Sequence, residues 1–508
     1  MTFVRHPLNR AGGFEPRISM NHVDTPQTRC QAGMSRGDIT PPVGIYHRMW
    51  GAAVHDQATG VHRPLLATLL WLQPSPPTPL PEGEGSKPEP QAQLMVALDH
   101  CVIDSAEMTR IREAVGEATS LAPAQVQVTL SHTHGSGWMS RSRAHFPGGE
   151  LIGPYLDDVV QKLAQLARQA KQAVQPATIV YGQGRCDLAG QRDYLDAERR
   201  QYVCGFNPAG SADDTVCVAR LSTAAGACLG TIVNYACHPT TLAWDNTAIS
   251  PDYVGAMREV IEHATGAPCL FLQGASGDLG PREGFVGDWA VADRNGRQLG
   301  YAALSALEAL PAAGMRFTYT GPVVSGTNIG TWKHVPLSAD RLSTQELWRL
   351  KQWTVELPYR HDLADFEETK SAHARWQAEE QKARTAGDDQ KARDCRALVE
   401  QKNRQLTRLQ SLPKGKVFPY QVNLLRLGDA IWVLVPGELY QAFQIALRQR
   451  FAPRPVIVAT LTGDWQPGYV PAASSYGYGI YQDTIACVGA GSLEVLIETI
   501  ARAVPALA

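Results

Sequence analysis

The sequence predicts an α/β fold: a mixed sheet or sheets covered by helices, with one inserted helical hairpin. Three observations carry this. Short apolar runs of strand length alternate with longer stretches of helical spacing. One segment dense in Glu, Lys, Arg and Gln interrupts the alternation. Histidines and a glutamate stand directly after three of the apolar runs, the strand ends at which α/β folds bind ligands.

A chain of 508 residues with 44% hydrophobic composition can bury a large core. A formal net charge of −2 gives no basic face for nucleic acid. Residues 1–31 are polar and without period, and are expected to form a flexible arm. Their composition lacks the apolar core of a secretory signal, and no run reaches the length of a membrane span, so a cytoplasmic protein is expected. The ten cysteines include no C-x-x-C pair and several sit in apolar runs, which fits a reducing compartment.

The catalytic core is expected over 32–336 and again over 413–508. Its first apolar runs, Leu65–Leu72 and Leu94–Leu98, read as strands joined by PSPPTPLPEGEGSKPEPQ, whose composition predicts a surface loop. Val126–Leu130, Thr231–Ala236 and Cys269–Leu272 read as further strands, and Tyr155–Ala173, Asp252–His263 and Arg294–Leu310 as helices. Residues 337–412 form the expected insertion. A capping box at Ser343 and Glu346 would open a helix there, and Gly387-Asp388-Asp389 would turn the hairpin. The insertion reads as a solvated hairpin, with a lid or an oligomer contact as the alternatives. Ala430–Val435, Leu439–Arg450 and Val456–Leu461 then resume the strand–helix–strand pattern.

Five motifs can carry chemistry. SHTHGSG follows VQVTL, and alternation along an extended strand would project His132 and His134 to one face. Imidazole is a common zinc ligand, but two hydrogen-bonded loop histidines fit this motif equally well. NYACHPTT places His238 at the end of a second run, before a proline that turns the chain away. In VPGEL, Glu438 stands where a strand gives way to a helix. It is either a carboxylate favoured by the helix dipole or an oxygen ligand completing a two-histidine, one-carboxylate zinc set. GYV followed by Tyr476, Tyr478 and Tyr481 offers phenols for a metal or an oxyanion. QGASGDLGPR is a glycine-rich turn without the nucleophile-elbow pattern, which disfavours Ser276 as a nucleophile.

Taken in order, these motifs resemble the neutral/alkaline, non-lysosomal ceramidase family. GDITPPVG and GVHRPL resemble its opening segment. SHTHGSG resembles T-H-T-H-S-G-P, and NYACHPTTL with ISPDYVG resembles H-x-T-S with I-S-x-D-x-x-G. GASGDLGPR resembles G-D-V-S-P-N, VPGEL resembles P-G-E-F, and GYV with the later YQ resembles G-Y-V with Y-E. The resemblance implies a zinc-dependent hydrolase that cuts a linear amide (N-acyl) bond with a metal-activated water. It implies His132, His238, Glu438 and Tyr469 as zinc contacts, His134 as proton shuttle and Tyr481 as oxyanion donor. Arg192, in GQRDY, matches the N-R-S-P arginine weakly. An esterase on the same site and a non-catalytic, zinc-stabilised binding protein are the rival readings. Gly280 stands where the family has a serine and Arg282 where it has an asparagine, and the family's C-terminal immunoglobulin-like domain has no counterpart in this sequence. These departures touch the substrate more than the zinc: a small N-acyl or lipid-like molecule is expected, not ceramide in particular.

Overall fold

The computed structural model describes residues 21–75 and 92–507. The rest of the expected arm and nearly all of the proline-rich segment lie outside these residues. The eight-stranded sheet is built from β1 (Gln27–Asp38), β2 (Leu66–Pro74), β3 (Gln93–Leu98), β4 (Val126–Leu130), β5 (Gln175–Arg185), β6 (Thr215–Thr223), β7 (Cys228–Tyr235) and β8 (Cys269–Gln273). Its order is β8-β7-β6-β5-β1-β2-β3-β4. The pairs at the two edges, β3 with β4 and β7 with β8, are parallel, and the pairs between them are antiparallel. A second sheet runs β9 (Trp348–Pro358), β10 (Val417–Leu427), β11 (Ala430–Leu434), β12 (Val456–Ala459), with only the last pair parallel.

The two sheets pack face to face. Leu70, Leu72, Met95, Ala97 and Ile232 of the first meet Leu425, Trp432, Leu434 and Ile457 of the second. Alternate residues point outward into helices. Leu69, Trp71, Leu94 and Val96 pack under α1 (Ser105–Thr119) and α2 (Ile152–Gln172). Val233, Tyr235 and Phe271 pack under α3 (Tyr253–Thr265) and α4 (Trp289–Glu308). On the far side, Ile431 and Val433 meet α8 (Ala442–Phe451) and α9 (Ser492–Ala503). The result is four layers, helix–sheet–sheet–helix. Strands buried on both faces must be apolar throughout, which is why they read as continuous runs.

Two expected boundaries are corrected. Ordered structure begins well before Ala32, because β1 starts at Gln27 inside the expected arm. Gln27 and Thr28 are fully buried there, and their polar groups bond to Asp429, the Met315 carbonyl and the Leu427 carbonyl. The insertion is also narrower than 337–412. It contains the short α5 (Ala339–Thr344), capped by Ser338 and not by Ser343, and then strand β9. Only α6 (Phe366–Thr385) and α7 (Asp389–Ser411) form the hairpin, turned at Gly387 with Asp388 capping α7.

The first sheet coils so that its edge strands β4 and β8 approach one another. The segment after β12 links them. Thr460 donates its N–H to Gln273 O at 2.9 Å and its hydroxyl to Gly274 O at 2.9 Å. Gly463 donates to Val128 O at 2.7 Å. The carboxyl ends of all three parallel pairs therefore open onto one place.

Candidate metal centre

The β4–α2 connection supplies His132 and His134. The strand stops at Leu130, and His132 takes a left-handed backbone at φ 66°, a conformation non-glycine residues rarely adopt. The alternation expected to project the two histidines together therefore does not operate. His134 starts a separate 3₁₀ turn, and the two rings sit edge to face with centroids 5.1 Å apart. His238 follows β7. Glu438 and Tyr469 sit side by side as a paired position in two short parallel strands, Glu438–Leu439 and Tyr469–Val470. Gly437, at φ 76°, makes the turn into the first of these. A Cβ there would come within 2.8 Å of Gly468 O, so only glycine fits.

Backbone carbonyls fix how the two histidines face. His132 Nδ1 donates to Cys101 O at 2.9 Å, and His238 Nδ1 donates to Ser276 O at 2.7 Å. Each Nε2 is left to face Glu438 Oε2, at 3.2 Å from His132 and 2.9 Å from His238. In neutral imidazoles with this tautomer both Nε2 atoms are lone pairs, so two lone pairs and a carboxylate oxygen converge. Such a cluster is balanced by a positive charge between its members, either a proton on His132 or a metal ion. His132, His238 and Glu438 offer ligand atoms that all lie within 4.8 Å of one another. His132 Nε2 is buried without a hydrogen-bond partner, a further sign that the donor set fits a metal. Carbonyl-anchored Nδ1–H groups are also the usual support for Nε2 ligation.

The titration directions agree with this arrangement. Burial alone would raise the Glu438 carboxyl, but His132 and His238 hold it well below its ordinary range. Burial alone would lower His132, yet the Cys101 sulfur and Glu438 raise it well above its ordinary value. His238 is pushed down to about 3 by burial and by Arg192. His134 is pushed well down by burial and by its two histidine neighbours.

Around the ligand cluster, Tyr469 OH lies 3.3 Å from His238 Nε2 and accepts from Arg192 Nη2 at 2.9 Å. The same Arg192 nitrogen donates to Gly277 O at 2.7 Å. Tyr481 stacks edge-on against Tyr469, with centroids 5.8 Å apart. His134, Arg192, Tyr469 and Tyr481 all line one cavity of about 480 Å³. Tyr476 instead bonds to Val488 O, and Tyr478 is exposed at the surface. Ser276 is buried on the Nδ1 side of His238, 3.3 Å from that nitrogen and away from the convergent Nε2 atoms. At Gly280 a Cβ would meet only Thr240 Oγ1 and Arg192 Cδ, at 3.7 and 3.8 Å, so packing does not demand the glycine.

Sequence reasoning passed over two walls of the cavity. Trp50, Trp244 and Phe285 form an aromatic cluster, and Trp50 packs on His134 at 5.0 Å between centroids. The other wall is α7, through Ala397, Glu400, Arg404 and Arg408. Their spacing of three, four and four residues is one helical face, a legible signal that the charge density of the segment hid. The three aromatics lie outside helices and strands, where no period marks them.

No protein-family profile matches the chain, and no curated protein does. Solved structures match. A neutral ceramidase from Pseudomonas aeruginosa superposes with a TM-score of 0.61 at 15% identity, covering 94% of this chain and 74% of that one. A ceramidase complexed with C2 superposes with a TM-score of 0.59 at 16% identity, with the same coverage. The chain thus has the fold of solved neutral ceramidases over nearly its whole described length, which is the fold the motifs led us to expect.

Proposed function

We propose that this protein is a zinc-dependent hydrolase of a linear amide bond in an N-acyl compound. The observation that carries the reading is the convergence of His132 Nε2 and His238 Nε2 on Glu438 Oε2, with both tautomers set by backbone carbonyls. His132, His238 and Glu438 would hold the metal, with Tyr469 beside them. A bound zinc ion supplies Lewis acidity, which makes a water nucleophilic near neutral pH and polarises a carbonyl.

The remaining steps belong to the chain's own side chains. Arg192 donates to the Tyr469 phenol oxygen, and with His238 and Glu438 engaged by the metal the phenol proton would be released to meet negative charge developing on the amide oxygen. Tyr481, on the same wall, is the second phenol in reach. His134 has both ring nitrogens buried and unpartnered, so no protein group competes for the proton it must carry. A C–O bond forms, the C–N bond breaks, and the proton released by water reaches the amine nitrogen, which must leave neutral. The aromatic wall beside His134 keeps bulk water from that relay.

The test is the metal content of protein purified without added metal or chelator. About one zinc per chain is expected, lost in His238→Ala, with N-acyl hydrolysis abolished by chelator and restored by zinc. Protein that carries no zinc and takes none up on reconstitution would overturn the proposal.

A further inference from the structure

The charges around the cavity are not what a neutral substrate needs. Arg192, Lys402, Arg404 and Arg408 all line it, against a single lining carboxylate, Glu400. That carboxylate is already engaged: its Oε1 receives Arg143 at 2.9 Å and Arg404 at 3.3 Å. Among the described residues, Lys402 reaches only the Gln405 amide oxygen. Arg408 has no side-chain acceptor at all among the described residues, and its Nε is buried and unpartnered. It is also close to the reacting end of the cavity, because a Cβ on Gly468, the residue before Tyr469, would lie 3.8 Å from Arg408 Nε. A partly buried guanidinium without an acceptor is costly, and carboxylate or phosphate oxygens are its best partners.

We propose that the cavity selects amides bearing an anionic group, such as N-acylated amino acids or their phosphonate counterparts. The anion meets Arg408, with Arg404 beside it, and an apolar arm lies on the Trp50–Trp244–Phe285 wall. The inference rests on the amide-hydrolase reading for its substrate class, but the charge preference stands on the α7 face. One helix supplies three of the four cations, with Arg404 and Arg408 on the stripe that also carries Glu400 and Lys402 to its side. A neutral lipid amide would leave this charge uncompensated.

The test uses zinc-loaded full-length protein and substrates in charge-matched pairs. N-acetyl-, N-benzoyl- and N-dodecanoylglycine are each compared with their glycinamide counterparts. N-benzoyl-aminomethylphosphonate and N-acylsphingosine in detergent micelles complete the set. The charged member of a pair is expected to show at least a tenfold higher kcat/KM, and Arg408→Gln is expected to reduce that preference to about twofold. Whether carboxylate or phosphonate does better identifies the natural anion. Equal rates within every pair, or N-acylsphingosine as the best substrate, would overturn the inference while leaving the hydrolase reading intact. If nothing is hydrolysed, the hydrolase reading fails, and calorimetric binding of N-benzoylglycine against N-benzoylglycinamide decides the anion site alone. Tighter binding of the carboxylate that depends on Arg408 upholds it, and equal binding overturns it. Because the comparison within wild type is itself decisive, a poorly folded Arg408→Gln would not rescue the idea.

Discussion

Replacing Glu400 by glutamine removes one charge from the contact that fastens α7 to the body of the protein. The Glu400 side chain is 1% exposed and that of Arg143 is 4% exposed. Their N–O distance is 2.9 Å, and Arg404 stands 3.3 Å from the same oxygen. Arg143 also donates to Tyr46 OH and lies over the Trp138 ring at 4.6 Å. With an effective dielectric constant of ~20, each of the two pairs is worth roughly 5–6 kcal/mol of attraction, against a desolvation cost of several kcal/mol per ion. Burial alone would raise the Glu400 carboxyl, yet Arg143 and Arg404 hold it below its ordinary range, so it is charged at neutral pH. In Glu400→Gln the shape survives but Arg143 is left buried and unpaired, which costs about 3–5 kcal/mol. Urea denaturation should show a loss of that size, and limited proteolysis should cut first within the α6–α7 hairpin. The double replacement Arg143→Met with Glu400→Leu should recover to within about 2 kcal/mol of wild type, because apolar groups of similar volume replace buried pairs well. A loss below about 1 kcal/mol in Glu400→Gln, with unchanged proteolysis, would refute the idea that this pair docks the helix.

Three other outcomes are expected. Tyr469→Phe should keep its zinc and lower kcat by about a hundredfold, the usual effect of removing one oxyanion donor; an unchanged kcat would remove Tyr469 from the mechanism. His132→Ala should lose zinc as completely as His238→Ala, since each removes one of the three convergent groups proposed to hold it, and metal analysis of the purified variants decides this. His47 is buried with Nε2 donating to Gly135 O, and burial pushes it from 6.5 down to about 4. Between those values the unfolded chain binds the proton and the folded chain does not. The contribution is therefore complete above pH 6.5 and is lost as pH falls toward 4, about 2.5 kcal/mol of it by pH 4.5. Asp252 and Asp278, both pushed up by burial to about 6, work in the opposite sense over nearly the same range. The wild-type curve thus mixes the two effects, and the difference between wild type and His47→Gln isolates the histidine. Parallel stability–pH curves for the two proteins would contradict the assignment.

The limits of sequence reading are clearest at two strands. Trp348–Pro358, WRLKQWTVELP, is an edge strand with much of its surface solvated, so its Arg, Lys, Gln and Glu content matches that of the helices after it. Composition does not separate an edge strand from a solvated helix, and the expected insertion therefore absorbed it. Gln27–Asp38, QTRCQAGMSRGD, lies inside the first sheet with few of the residues that favour strands. The buried polar groups of Gln27 are matched by partners 288 and 402 residues away in sequence, which no local window contains. By contrast, Leu94–Leu98 and Ala430–Leu434 were legible because a strand covered on both faces has to be apolar at every position.

By itself, the sequence determined that apolar strands end in SHTH, in CHP and in PGE, because strand-length burial and the breaks after it are local properties. Only the tertiary structure decided that these ends meet. His132 leaves one edge strand of the eight-stranded sheet, His238 leaves the strand next to the opposite edge, and Glu438 follows a strand of the second sheet. The coiling of the first sheet and the hydrogen bonds of Thr460 and Gly463 bring the three together. The tautomers, the left-handed turn at His132 and the cationic face of α7 over the cavity depend likewise on carbonyls and packing surfaces distant in the chain. Ligand identity is carried by residue type, but ligand convergence is a property of the packed layers.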